Sequence, residues 1–136
     1  MLIHNKYLSY ALPHKWCSEE NGDELFIYDP EGQGALVLSF FNFVTEPKSL
    51  SEELYMFSNS FVSQNDIILN APFESLNQGE KTVLCGQGLT ADQWFIRIWL
   101  VATWPKIILA TYQSEQENEE IKICNSIIES FQIKII

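Results

Sequence analysis

The sequence predicts a single α+β domain over residues 1–136: one layer of mostly antiparallel sheet, of about six or seven strands, with two main helices packed on it. Three observations carry this reading. Runs of β-branched and aromatic residues bounded by turn chemistry fill most of the chain. Two segments only, one before and one after the strongest run of strands, switch to a helical period. Segregated strands and helices of this kind describe an α+β domain. With 136 residues, 46% apolar and 13% aromatic, the chain has core material for one domain and none of the composition of a disordered one.

Taken in order, Tyr7 to Leu12 reads as a short strand stopped by Pro13, and Leu25 to Tyr28 as a second, followed by the turn residues Asp29-Pro30-Glu31-Gly32. Ala35 to Phe43 is apolar on both faces, as in a central strand covered on two sides. Pro47 and Ser49-Leu50-Ser51-Glu52 then open a helix with capping-box spacing. Its stripe is Leu50, Leu54, Phe57 and Phe61, and it should end near Gln64-Asn65. Ile67 to Phe73 is extended, and Asn77-Gln78-Gly79 breaks it. Lys81–Leu89, Gln93–Ala102 and Lys106–Gln113 form a meander with turns at Thr90-Ala91-Asp92 and Thr103-Trp104-Pro105. Ser114-Glu115-Gln116-Glu117 is a second capping box, whose helix carries Ile121, Cys124, Ile128 and Phe131 on one stripe and Glu115, Glu117, Glu119 and Glu120 at its start. The apolar tail Phe131 to Ile136 adds an edge strand or packs on the sheet.

Several local patterns resemble the PsbP-like fold, named for an extrinsic subunit of photosystem II and shared with a Ran-binding import factor and small bacterial domains of unknown function. They are Tyr10-Ala-Leu-Pro-His-Lys-Trp16, the Asp29–Gly32 turn into Gly34-Ala-Leu-Val-Leu-Ser39, the Ser49 helix, the meander from Trp94 to Thr111-Tyr112, and Asn125-Ser-Ile-Ile-Glu-Ser-Phe131. The resemblance implies a binding or assembly protein without catalytic machinery. Binding surfaces differ among members, so the fold does not carry a function with it.

Charge narrows the partners. Eighteen acidic against eight basic residues give a net charge of −10, and Arg97 is the only arginine. Such a chain repels phosphate backbones and anionic membranes, which excludes nucleic acid and points to a basic protein partner. Three widely spaced cysteines (Cys17, Cys85, Cys124) do not read as a disulfide framework. The N-terminus has no apolar signal segment, and no run is long and apolar enough to span a membrane. These features together predict a cytoplasmic protein.

The motifs of chemistry are missing. His14 and Cys17 read as a surface pair rather than a thiolate–imidazole couple, and two histidines with three distant cysteines do not supply a zinc pattern. There is no Gly-x-Ser-x-Gly elbow, and Gly86-Gln87-Gly88 falls inside a strand, where glycines mark a bulge or a close backbone approach. No metal, no cofactor and no enzymatic activity are expected. Two surfaces remain as candidates. Glu19, Glu20, Asp23 and Glu24 crowd a polar loop and make an acidic docking surface for a basic partner. Phe95, Arg97 and Trp99 share one strand face, which Trp104 at the next turn would extend; arginine and tryptophan are the residues of binding hot spots. The reading is a non-catalytic binding module of the adaptor or immunity type. Its alternatives are a small-molecule-binding protein or enzyme with a pocket around Arg97 and a structural assembly subunit. Oligomeric state is not legible.

Overall fold

A computed structural model describes residues 1–78 and 81–135. The strands are β1 (Leu2–His4), β2 (Leu8–Ala11), β3 (Cys17–Asn21), β4 (Glu24–Tyr28), β5 (Gly34–Asn42), β6 (Ile68–Leu69), β7 (Glu74–Gln78), β8 (Lys81–Leu89), β9 (Phe95–Thr103), β10 (Lys106–Ser114) and β11 (Gln132–Ile133). The helices are α1 (Leu50–Gln64) and α2 (Glu120–Glu129). The main sheet runs β3-β4-β5-β10-β9-β8-β6, with β7 also paired to β8, and a small sheet has the order β1-β2-β11. All these pairs are antiparallel.

The two helices pack on opposite faces of the main sheet. Under α1 lie Ile96, Ile98, Leu100 and Ala102 of β9 with Leu84, Ile107 and Leu109. On the other face α2 and the small sheet cover Leu25, Ile27, Leu36, Leu38, Val83, Trp99, Val101 and Ile108 with Leu8, Tyr10, Cys124, Ile127 and Ile128. β9 is therefore covered on both sides, as the two-faced pattern of residues 93–102 requires. β5 departs from the cover on two sides expected for residues 35–43: Leu36 and Leu38 are buried on the α2 face, but on the other face Ala35, Val37 and Ser39 are half-buried and Phe41 is exposed, because α1 does not reach them.

Helix α1 forms where its sequence signals place it. Ser49 is the N-cap, and its hydroxyl accepts the Glu52 N–H at 3.3 Å. Leu54 and Ser58 are its buried residues, the serine hydroxyl donating back to the Leu54 carbonyl at 2.9 Å, which removes the cost of burying it. Helix α2 departs from the expected capping box. Ser114 donates to the Gln116 carbonyl and ends β10, while Asn118 Oδ1 accepts the Glu120 N–H at 2.8 Å, so the helix starts at Glu120. Glu120 is then the one acid in the first turn, and Glu115, Glu117 and Glu119 precede the helix. Lys81 caps the other end, its ammonium donating to the carbonyls of Glu129 and Phe131 at 3.0 and 2.9 Å.

Four short strands raise the count from about seven to eleven. The loop expected after Cys17 is the hairpin β3–β4, with Asn21 opposite Glu24 and Gly22 at φ 63°, the positive φ that a two-residue hairpin turn demands. Asn77 and Gln78, expected to break the chain, are paired strand residues opposite Thr82 and Lys81; Gly79 lies outside the described residues. β11 pairs with β2 and makes the C-terminal tail an edge of the small sheet. Gly86 and Gly88 sit in an unbroken β8–β9 register and mark close approaches. A side chain at Gly86 would meet the Phe73 ring at 2.8 Å, and one at Gly88 would strike the Ile68 backbone.

Candidate functional site

The strand face expected to bear a patch of Phe95, Arg97 and Trp99 is core. Phe95 is 4% exposed and Trp99 1%, and the Trp99 indole donates to Asn125 Oδ1 of α2 at 3.1 Å. A second helix crossing this side of the sheet is the physical reason: it takes the aromatics out of water and leaves the arginine at its margin. Trp104 does not extend that face. It packs on Phe43 with ring centroids 5.3 Å apart, on the α1 side of the sheet.

Arg97 itself is half-buried. Its guanidinium donates from Nη1 to Gln87 Oε1 at 2.9 Å and lies 5.3 Å from the Trp99 ring centroid. Its Nε is buried with no hydrogen-bond partner. Among the described residues the one ion pair is Lys122–Glu119 at 2.7 Å, both groups being strongly exposed, so Arg97 has no carboxylate partner there.

The four acids Glu19, Glu20, Asp23 and Glu24 come together on the β3–β4 hairpin. Register divides them. Glu19 is opposite Phe26, and Glu24 is opposite Ser39, which puts both on the α1 side of the sheet; Glu20, opposite Leu25, points to the other face, and Asp23 is in the turn. Glu19 Oε1 accepts the Tyr28 hydroxyl at 2.5 Å, which raises the phenol's pKa, and Ser39 donates to Glu24 at 3.2 Å.

Composition left one surface unseen, the α1 side of β3, β4 and β5. The core beneath α1 is drawn from β8, β9 and β10, and the helix stops short of the rest of the sheet. The uncovered part carries Phe26, Tyr28, Ala35, Val37 and Ser39, all half-buried, and Phe41 at 41% exposed. Between it and α1 runs a groove of about 670 Å³, floored by Phe41, Phe43, Ile107 and Leu109 and flanked by Met56, Phe57 and Phe61. Phe41 and Phe57 meet across it edge to face at 5.3 Å. Met56 is 64% and Val44 98% exposed. Glu53 lines the groove and Glu19 the shallower face beyond it, and no residue lining either is a cation. The signal that would have found this face is the Asn21-Gly22 dipeptide between two alternating runs, a hairpin mark that places Glu19 and Phe26 on one surface.

Beyond the groove, the interior carries neutral titratable groups. Burial pushes the thiols of Cys85 and Cys124 up to about 11 and about 12, and the Tyr112 hydroxyl up to about 12, where its bond to Glu120 at 2.6 Å adds to the effect. A buried neutral thiol is a poor nucleophile. His14 and Cys17 share no hydrogen bond among the described residues, and no group of three or more His, Cys, Asp or Glu there could hold a metal ion. The raised values fix the sign of an alkaline effect. From the ordinary 9.0 of a thiol and 10.0 of a phenol upward, the unfolded chain loses protons that the folded chain retains, so stability should fall as pH climbs from about 9 toward 12. Lys81, lowered by burial, works in the opposite direction just below 10.5. Urea unfolding at pH 8.5 and 11 should show the loss, and Tyr112→Phe should make the slope shallower above pH 10. An equal slope in that variant would take Tyr112 out of the account.

No protein-family model matches the sequence, and no curated protein matches it. In the described residues, no helix is long and apolar enough to cross a membrane. Among solved structures, the chain is similar to the solution structure of cyanobacterial PsbP (CyanoP) from Synechocystis sp. PCC 6803, with a TM-score of 0.65 and 11% identity over 93% of this chain and 86% of that one. At that identity the likeness concerns the path of the backbone. The chain has the PsbP-like α+β fold.

Proposed function

We propose that this protein is a non-catalytic binding module that docks a basic, amphipathic segment of a protein partner, in an adaptor or immunity-type role. The observation that carries the reading is the half-covered sheet: on the side where α1 packs, an apolar groove beside the helix and a shallower face with Phe26, Tyr28 and Ala35 are both open, with Glu53 and Glu19 among their lining residues and no cation. An exposed apolar surface of this extent marks an interaction site. Its charge selects the occupant. A second copy would bring Glu19, Glu24 and Glu53 against a like surface on a chain of net charge −10, whereas Lys and Arg flanking an apolar segment complement it.

The experiment is a set of baits. A basic protein captured from native-source lysate by the unaltered chain and by Arg97→Met, but not by Phe41→Asp, would support the proposal, since a central aromatic contributes about 2 kcal/mol or more when it anchors an interface. Against that partner, Glu19→Lys/Glu24→Lys should slow association about tenfold at low salt and flatten its salt dependence. Capture unaffected by these variants, or a homodimer that Phe41→Asp converts to monomer, would overturn it.

A further inference from the structure

A second site lies on the opposite face of the sheet. β6 and β7 both pair with the outer edge of β8, but not continuously: Leu69 is opposite Gly88 and Glu74 opposite Cys85, so four residues of one strand span two of the other. The surplus arches away from the sheet at Asn70-Ala71-Pro72 and opens a cleft of about 260 Å³ over Gln87 and Arg97. Asn70 anchors the arch, its N–H donating to the Gln87 carbonyl at 2.9 Å.

The cleft holds two opposite charges that do not neutralise each other. Arg97 is on one wall with its Nε unpartnered, and Glu74 is on the other, with no ion pair between them. A guanidinium held out of water without a counter-charge is costly, and a carboxylate is its strongest acceptor. The Gln87 amide occupies Nη1 and holds the fork in place. Ala71, Pro72 and Leu76 add an apolar wall. A cleft smaller than the about 300–1,000 Å³ of drug-sized sites restricts the occupant to a small molecule. Glu74 disfavours a dianion such as phosphate and offers an ammonium its counter-charge.

We propose that this cleft binds a small zwitterionic amino acid, its carboxylate on Arg97 and its ammonium on Glu74. The site is independent of the docking face, which lies across the sheet.

Arg97 is the only arginine, so its Nε–H gives a single assignable signal in the spectrum of ¹⁵N-labelled protein. That signal should shift saturably on titration with L-alanine, and propionate should bind about fivefold more weakly, the effect of one exposed charge pair. Glu74→Gln, at an exposed position, should bring alanine down to the affinity of propionate. Three results would each overturn the proposal: no saturable shift with alanine, inorganic phosphate binding more tightly than alanine, or alanine affinity unchanged in Glu74→Gln. None of them bears on partner docking, which the Phe41 and Glu19/Glu24 variants test separately.

Discussion

Replacing Trp99 with alanine is expected to remove about 3–5 kcal/mol of stability, a large share of the roughly 5–15 kcal/mol by which domains of this size are stable. Trp99 is the largest fully buried side chain. It joins β9 to α2 through the apolar cluster it shares with Cys124 and Ile128 and through its indole bond to Asn125. Truncation leaves a cavity between sheet and helix and an amide that has lost its donor. Urea unfolding followed by circular dichroism measures the change. Trp99→Phe should cost clearly less, since it leaves a ring in the cavity and deletes mainly the hydrogen bond. A loss under about 1 kcal/mol for Trp99→Ala would mean that the cavity is closed by collapse of α2 and that the face is softer than its burial implies.

Leu54→Ala is expected to cost about 2–5 kcal/mol, because Leu54 is the one fully buried apolar side chain by which α1 holds the sheet. The same kind of truncation at Met56, one turn face away and 64% exposed, should stay within about 0.5 kcal/mol. The contrast separates the two sides of one helix. Leu54 keeps α1 in place, and Met56 faces the groove. In the docking reading Leu54→Ala weakens partner binding only by loosening the wall of the groove, whereas Met56→Ala weakens binding at unchanged stability. Unfolding curves of both variants, beside their affinities for the captured partner, distinguish these effects.

Much of the fold was legible because its signals are local. The meander strands, the turn opened by Thr90-Ala91-Asp92 and the span and cap of α1 follow from period, turn chemistry and a serine at the cap position, each of which acts over a few residues; the turn runs on through Gln93, so β9 starts at Phe95 rather than Gln93. The turn at Thr90 shows how local this is: its hydroxyl and carbonyl accept the N–H groups of Trp94 and Gln93 at 3.1 and 2.9 Å. The expectation failed at the second capping box: Ser114 is still paired in β10 and its hydroxyl donates to the Gln116 carbonyl, so the helix begins only at Glu120, behind an N-cap, Glu119, that makes no side-chain cap bond. It failed again at residues 17–24, whose acids suggested a solvated loop; a polar strand at the edge of a sheet has that same composition.

The candidate site was less legible. On β9, the face of Ile96, Ile98 and Leu100 and the face of Phe95, Trp99 and Val101 are both apolar enough for core, and alternation along the strand cannot say which will meet a helix. The tertiary structure covers both, α1 on one side and α2 with the small sheet on the other. It leaves bare a region that no single strand reveals, the α1 side of β3, β4 and β5, because one fifteen-residue helix is too narrow to cover an eight-stranded sheet. Sequence by itself determined the class of the fold, the acidity of the surface, and the lone arginine with aromatic neighbours, since these depend on residue types and short-range spacing. Only the tertiary structure decided which aromatics are core, that Glu19 and Glu24 border an apolar floor, and that Arg97 faces Glu74 across a cleft. Those relations join residues distant in the chain, through strand order and helix placement.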